Sequence, residues 1–199
     1  MLAVGLTGGI ASGKTTVSNL FSKLDVPIID TDLISRQLLE LNQPGYQKVV
    51  EHFGDALLNE DQQIDRRKLR RIVFNDEGEK QWLEGSLHPI IFRQTRQQIE
   101  QHDNAVYVIV VIPLLFETDF QSLVNRILVI DCRAETQIKR LMARDGIELN
   151  LARQMLAQQW DNDARLKLAD DIIHNDDELD VQLELQVTKM HQKYLSLGG

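Results

Sequence analysis

The sequence predicts an α/β protein with a five-stranded parallel sheet that helices cover on both faces. Five short apolar runs have the composition of strands, and helical stretches lie between them along the chain. The runs are apolar throughout rather than alternating, which indicates strands buried on both faces, as in a parallel sheet. The predicted strands span 2–7, 26–30, 105–112, 125–131 and 170–174.

Amphipathic helices are predicted after each of the first two strands. Apolar residues recur at helical spacing after Gly13, and residues 33–39 place Leu and Ile on one face. Roughly seventy residues without a strand pattern then precede the third strand. Because this block is too long for an ordinary crossover, we expect a helical sub-domain. Its four predicted amphipathic helices are QPGYQKVVEHF, DRRKLRRIVF, EGEKQWLEGSL and PIIFRQTRQQI.

The last part of the chain predicts two more helices, interrupted at Asp145–Gly146, then the fifth strand and a closing helix. No internal repeat or linker separates independent domains, so we predict a single domain over residues 1–199.

Composition limits the class of protein. The net charge of −8 argues against binding to nucleic acid or a membrane surface, so the basic run at 66–71 is predicted to be a solvated helix face around Leu69. A single cysteine, Cys132, excludes an internal disulfide and fits a reducing cytoplasm. The sequence has no signal peptide pattern and no apolar run of the ~20 residues that a membrane helix needs. We therefore expect a cytoplasmic protein.

The stretch GGIASGKT, Gly8 to Thr15, matches the phosphate-binding pattern G-x-x-x-x-G-K-[ST] at every position. A predicted strand precedes it and a predicted helix follows it, so backbone N–H groups and the helix N-terminus would face phosphate oxygens. Lys14 adds a positive charge for the β- and γ-phosphates, and the Thr15 hydroxyl can ligate Mg²⁺. The sequence thus predicts a three-layer P-loop NTPase fold that binds a nucleoside triphosphate.

Among P-loop proteins, the chain length favours a kinase with a small acceptor. The D-x-x-G and N-K-x-D patterns of a GTPase do not occur. A kinase needs a carboxylate that orients or deprotonates the attacking hydroxyl, and Asp30 and Asp32 follow the second strand, where ligands collect in open α/β sheets. Either acid could instead cap the following helix, since Asp is a favoured N-cap residue.

Six segments of the chain form a recognisable series: GLTGGIASGKTTV, VPIIDTDLISRQLL, LHPII, VVIPLLFE, RLMARDG and ADDIIHND. They occur in the order found in dephospho-CoA kinases, and the chain resembles that family over essentially its whole length. The resemblance implies Mg²⁺-dependent transfer of the γ-phosphoryl group of ATP to the ribose 3′-hydroxyl of dephospho-CoA, the last step of coenzyme A biosynthesis. It also implies that the helical block, 34–103, binds dephospho-CoA and that residues 138–160 form a mobile lid.

The motif and the resemblance together assign the site residues. Asp32 is the expected base, with Lys14 and Arg140 acting on the transferring phosphoryl group. Thr15 would ligate Mg²⁺, with Asp30 reaching the ion through water. The expected ATP-binding residues are Gly8, Gly9, Ala11, Ser12, Gly13, Lys14, Thr15, Thr16, Arg140, Arg144 and Asn175. The expected acceptor-binding residues are Asp32, Arg36, His88 and Leu115.

Several of these assignments have a structural alternative. Arg140 and Arg144 share a helix face and would either reach the phosphates or pair with Glu135 or Asp145. His88 could be a structural residue at a helix start, and the role of Glu117 is open. The family often shows N-x-G where this chain has Asn175, Asp176 and Asp177, which leaves the shape of the adenine loop open.

Three functions therefore stand at this point: dephospho-CoA kinase, which we favour, another P-loop nucleoside or nucleotide kinase, and a regulatory module that binds ATP without turnover. The expected partners are ATP and dephospho-CoA, with no nucleic acid or membrane, and the protein is expected to be a monomer or a weak homo-oligomer.

Overall fold

The computed structural model describes residues 1–176 and 180–199 and is built around five strands. They are β1 (Leu2–Gly8), β2 (Ile28–Asp30), β3 (Tyr107–Val111), β4 (Arg126–Asp131) and β5 (Asp171–His174). They form one sheet in the order β2-β3-β1-β4-β5. The pairs β1–β3, β1–β4 and β4–β5 are parallel. All five predicted strands and the α/β fold class are confirmed.

Nine α-helices lie in the described residues. They are α1 (Lys14–Ser22), α2 (Thr31–Leu38), α3 (Pro44–Phe53), α4 (Arg66–Asn75), α5 (Glu77–Gln101), α6 (Ala134–Asp145), α7 (Leu149–Ala157), α8 (Asn162–Lys167) and α9 (Asp180–Gly198). None of the helices in these residues is long and apolar enough to cross a membrane.

The chain divides into two units, one made of Met1–Ile29 with Ile99–Gly199, the other of Asp30–Gln98. The first unit holds the sheet and its core. The central strand β1 is flanked by partners, and its side chains and those of β3 are almost all buried. Continuous burial of this kind explains why both strands are apolar runs rather than alternating patterns. Phe21 of α1 and Tyr194 of α9 stack within this core with ring centroids 6.3 Å apart.

The second unit is helical and has a core of its own. Val49, Leu57, Ile64 and Leu69 are buried there, against partly buried side chains of α3, α4 and α5. Leu69 is the buried residue of the basic run, and the arginines around it lie towards solvent. The predicted solvated face around Leu69 is therefore present.

One helix boundary in this unit was predicted wrongly. The sequence predicted two helices separated before Pro89, whereas α5 runs through that residue. A proline inside a helix costs about 3 kcal/mol through the lost hydrogen bond and the ring clash. Leu87, Ile90 and Ile91 are all buried around it, so packing on both sides of Pro89 outweighs the local penalty. His88 consequently lies inside a helix, not at a helix start.

The C-terminal elements follow the prediction except for α8. Helix α6 ends at Asp145, at the predicted break. Its C-cap, Gly146, has φ 66°, in the left-handed region that glycine adopts readily. The sequence analysis missed α8, a single short helix whose N-cap Asp161 accepts a hydrogen bond from Ala164 N at 2.9 Å. The last residue of the predicted adenine loop, Asp177, lies outside the described residues.

Candidate active site

The glycine loop joins β1 to α1, and its last glycine begins the helix. Gly13 is the N-cap of α1 with φ 97°, a left-handed conformation that a side chain would strain. A Cβ at Gly13 would also overlap the side-chain nitrogen of Asn175. The first N–H groups of α1 have no partner within the helix, and the helix dipole makes this end positive. The loop therefore has the backbone of an anion site.

Lys14 supplies the positive side chain of this loop. Its ammonium donates to the carbonyl oxygens of Gly8 at 2.7 Å and Gly9 at 2.9 Å. These bonds fold the side chain back over the loop and hold its charge there. Thr15 and Thr16 follow on the first turn of α1, and both side chains are exposed.

Ser12 and Asn175 connect the loop to the end of β5. The Asn175 side-chain amide donates to Ser12 O at 2.7 Å. The Ser12 hydroxyl is buried and is the one such side-chain oxygen or nitrogen among the described residues without a hydrogen-bond partner. Since a buried hydroxyl without a partner is costly, Ser12, already an expected ATP-binding residue, has a hydroxyl that can bind a ligand at this loop.

Arg140 of α6 also reaches this corner of the first unit. Its Nη1 donates to Asn175 O at 2.9 Å and lies 3.6 Å from Cys132 Sγ. The structure thus brings three predicted ATP-binding groups together, namely Arg140, Asn175 and the glycine loop. Burial raises the pKa of Cys132 to about 11, an effect that the Arg140 charge opposes without cancelling. Cys132 is therefore a neutral thiol beside the guanidinium.

Arg144 has the alternative contact that the sequence allowed. Its guanidinium forms two hydrogen bonds to the neighbouring Asp145, at 2.8 and 2.9 Å. These contacts raise the pKa of Arg144 further, chiefly through the hydrogen bond to Asp145. The Arg144 side chain is 58% exposed, so this pair is solvated and weak.

The two acids after β2 have different surroundings. Asp30 is the N-cap of α2, and its Oδ1 accepts from Asp32 N at 2.9 Å and from Leu33 N at 3.2 Å. Asp32 and Arg36 are exposed on the same helix. For Asp30 the capping alternative is therefore present in the structure, and its Oδ2 takes no part in the cap.

The remaining predicted acceptor residues differ in accessibility. His88 is half-buried within α5. Leu115 is 0% exposed in the turn after β3, where its side chain packs beside Gly5. In this arrangement the Leu115 side chain belongs to the core, so only its backbone could contact a ligand. Glu117, in the same turn, lies near the buried Arg165. The pKa of Arg165 is lowered, chiefly by burial, although the carboxylates of Glu117 and Asp161 oppose this effect.

Comparison with known proteins decides the family. The family model for dephospho-CoA kinase matches residues 2–180. The chain is 42% identical to the dephospho-CoA kinase of Vibrio parahaemolyticus over 197 residues, covering 98% of this chain and 96% of that protein. The chain belongs to the dephospho-CoA kinase family. Members of this family are ATP-dependent kinases.

One solved structure agrees with this family assignment, and a second shares the fold. The dephospho-CoA kinase from Campylobacter jejuni superposes with a TM-score of 0.75 at 31% identity, covering 99% of this chain and 98% of that one. The protein TT1252 from Thermus thermophilus has the same fold, with a TM-score of 0.82 at 24% identity and 96% coverage of both chains.

Two residues at the loop of this dephospho-CoA kinase family member were not predicted as functional. The side chains of Gln137 and Gln159 form hydrogen bonds to the backbone of Ile10, each at 2.7 Å. No sequence pattern connects these glutamines to the loop, because they lie more than 120 residues away from it along the chain. Only the fold brings them together.

Proposed function

We propose that the protein transfers the γ-phosphoryl group of ATP to the ribose 3′-hydroxyl of dephospho-CoA, giving coenzyme A and ADP. The observation that carries the proposal is the glycine loop, with Lys14 folded over it and Asn175 and Arg140 beside it, in a chain of this family. In the reaction, the 3′-oxygen forms a bond to the γ-phosphorus while the bond to the β–γ bridging oxygen breaks, and ADP leaves.

The loop residues would bind and neutralise the triphosphate. Backbone N–H groups from Gly13 onward, the Lys14 ammonium and the Ser12 hydroxyl are donors for phosphate oxygens. Lys14 and Arg140 would stabilise the charge that develops on the transferring group and its leaving oxygen, which is where preorganised cations contribute most. Arg144 would reach the phosphates only after it leaves Asp145.

The acceptor would be handled by residues of α2 and α5. We propose that Asp32 orients the 3′-hydroxyl and takes its proton as the new bond forms. Arg36 and His88 would contact dephospho-CoA, and the backbone of Leu115 would complete the acceptor contacts. The helical block, 34–103, is the proposed dephospho-CoA-binding region and 138–160 the proposed lid.

Oxygen donors suited to Mg²⁺ are present. The exposed Thr15 hydroxyl is the expected direct ligand, and Asp30 retains one carboxylate oxygen outside its cap for a water-mediated contact. Hydroxyl, carboxylate and phosphate oxygens match the preference of this hard cation. When bound, Mg²⁺ would neutralise charge on the β- and γ-phosphates.

The test is ADP formation by the purified protein with ATP and a panel of acceptors. We expect turnover with dephospho-CoA, and far less with adenosine or AMP, because the pantetheine arm supplies binding energy that holds the ribose in line. Comparable kcat/KM values for AMP would support a general nucleotide kinase instead. Nucleotide binding without turnover on any acceptor would support a regulatory module.

The cellular location and the oligomeric state of the protein are a further part of this proposal. The single buried thiol suits the reducing cytoplasm, and an acidic chain is a poor ligand for nucleic acid. We propose that it works there as a monomer or weak homo-oligomer. Cell fractionation and sedimentation of the purified protein test these two statements.

A further inference from the structure

Two side-chain amides hold the peptide groups on either side of Ile10 in the glycine loop. Gln159 Oε1 accepts a hydrogen bond from Ile10 N at 2.7 Å, and Gln137 Nε2 donates to Ile10 O at 2.7 Å. A backbone N–H can only donate and a carbonyl can only accept, so the loop itself fixes which end of each amide faces it. We call this pair the amide clamp.

The two amides of the clamp come from separate elements of the same unit. Gln137 is buried on α6. Gln159 follows α7, where its N–H donates to Leu156 O at 3.1 Å. The next residue, Trp160, stacks on Phe116 with ring centroids 5.1 Å apart. Gln159 is thus held on both sides along the chain, and its side chain has a defined direction towards the loop.

The loop has features that need such support. Ala11, next to Ile10, has φ 55°, in the left-handed region that non-glycine residues occupy only where their surroundings hold them there. Ser12 N donates to Gly9 O at 3.2 Å, which closes the turn around this residue. Gly9 lies so close to the Gln137 amide nitrogen that a Cβ would overlap it. The clamp and the turn therefore fit each other closely.

We propose that Gln137 and Gln159 are positioning residues that hold the glycine loop in the shape that receives the triphosphate. The amides touch the loop backbone and act through it, because one polar atom of each amide is bonded to Ile10. Gln159 also belongs to the segment proposed as the lid, so the clamp links the lid to the loop. This inference rests on the proposed kinase function.

The first experiment removes each amide while keeping its length, with Gln137→Met and Gln159→Met. A single hydrogen bond of this kind corresponds to about a 3–10-fold effect. We expect kcat/KM for ATP to fall by about that factor, with KM for dephospho-CoA within about twofold of its original value. Gln192→Met, at an exposed position on α9, is the control that should change neither.

A second pair of variants tests the polarity of the clamp. Gln159→Glu keeps an acceptor for Ile10 N, whereas Gln137→Glu places an acceptor against Ile10 O. Both variants add the same charge next to the loop, so the difference between their kcat/KM values for ATP reports the direction of the hydrogen bond. In Gln137→Glu a carboxylate oxygen would face Ile10 O, so a repulsive contact would replace a favourable hydrogen bond. We therefore expect kcat/KM for ATP to fall about tenfold more in Gln137→Glu than in Gln159→Glu.

Two measurements keep the inference separate from the function it rests on. Calorimetry with a non-hydrolysable ATP analogue reports nucleotide affinity without turnover, and hydrogen exchange of the Ile10 amide reports the clamp itself. We expect weaker affinity and faster Ile10 exchange in Gln159→Met. Unchanged affinity and kcat/KM in both Met variants, or equal losses in both Glu variants, would overturn the positioning role. Absence of turnover in the unmodified protein would overturn the kinase proposal instead.

Discussion

The Asn175 side chain donates a hydrogen bond to Ser12 O at 2.7 Å across 163 residues of sequence. The same residue accepts from Arg140 through its backbone carbonyl. Asn175 therefore connects the end of β5, the glycine loop and α6. The contact with Ser12 orients the peptide that leads into Gly13, where the proposed phosphate donors begin.

Replacing Asn175 should weaken nucleotide binding more than it weakens the fold. In Asn175→Ala the Ser12 carbonyl loses its donor, and we expect KM for ATP to rise about 3–10-fold, the effect of one hydrogen bond. Asn175→Asp should be worse, because a carboxylate would face both the Ser12 carbonyl and the triphosphate. The exposed Asn104→Ala is the matched control. Steady-state kinetics with a melting curve for each variant measures both effects, and an unchanged KM in both variants would contradict this role.

Lys14→Ala should remove catalysis with little loss of structure. The ammonium stabilises charge in the transition state, so kcat should fall by about 10²–10³-fold. The melting temperature should stay close to that of the unmodified protein, since the hydrogen bonds from the Lys14 ammonium to Gly8 O and Gly9 O lie within its own loop. The control is Lys189→Ala, at an exposed site of α9. Normal turnover in Lys14→Ala would remove the glycine loop from the mechanism.

Asp32 and Asp30 should separate catalysis from stability. Asp32→Asn keeps its shape but loses basicity, so we expect kcat to fall about 10²–10⁴-fold with an unchanged melting temperature. Asp30→Ala removes the cap of α2 and should lower the free energy of unfolding by about 0.5–2 kcal/mol. Rate assays, a Mg²⁺ titration and thermal melts of both variants measure this. A pattern in which Asp30→Ala abolishes turnover and Asp32→Asn only destabilises would reverse the two roles.

The buried carboxylate of Asp171 should give the protein an acid-sensitive stability. Burial alone would raise the pKa of Asp171, but hydrogen bonds from Arg126, Lys193 and Tyr194 outweigh it, and the pKa is lowered. A lowered pKa in the folded state stabilises the protein above the unfolded value of about 3.9, and this contribution is lost as the pH falls below it.

The matching experiment is a melting series for Asp171→Asn. At pH 7 the variant should be less stable by about 1.5–3 kcal/mol, the range for hydrogen bonds to a charged group. The difference from the unmodified protein should shrink below about pH 4, because the native carboxylate is then being protonated. Asp103→Asn, in the exposed turn after α5, should show no such difference. A constant difference between pH 7 and pH 3 would contradict the assignment.

Cys132 should react slowly with alkylating agents in the folded protein. With its pKa raised to about 11 by burial, its thiolate fraction at pH 8 is at least about 100-fold below that of an ordinary cysteine with a pKa near 8.5. Mass spectrometry after iodoacetamide treatment, with and without denaturant, measures the two rates. Rapid alkylation of the native protein at pH 8 would show that the Arg140 charge governs the thiol instead.

The sequence was most informative where local pattern and tertiary packing agree. All five strands and the glycine loop could be predicted, because continuous apolar runs and G-x-x-x-x-G-K-[ST] spacing each encode a local arrangement. The predicted helix break before Pro89 was wrong because the burial of Leu87, Ile90 and Ile91 outweighs the local cost of a proline inside the helix. A rule based on the residue type alone does not include this packing. Helix α8 was missed because it is a single short helix set by the Asp161 cap.

The candidate site was predictable only in part, for a related reason. Lys14 and Arg140 belong to short recognisable motifs, so their place near the loop could be expected. The amide clamp consists of two glutamines whose partners are backbone atoms of Ile10. Every residue has a backbone N–H or C=O, so such a contact cannot be recognised from residue types in the sequence. The burial of Leu115 likewise follows from packing against Gly5, which its own motif does not show.

The central position of β1 also has a consequence for how the protein is made. Strand β1 pairs with β3 and β4, whose residues are synthesised about a hundred positions after those of β1. The hydrogen bond from Asn175 to the Ser12 carbonyl can form only later still, because 163 residues separate the two positions. In a nascent chain the proposed nucleotide site is therefore incomplete until Asn175 has been synthesised and bonds to Ser12. Since pairings this distant form slowly, early apolar strands must stay free of one another and of other chains until then.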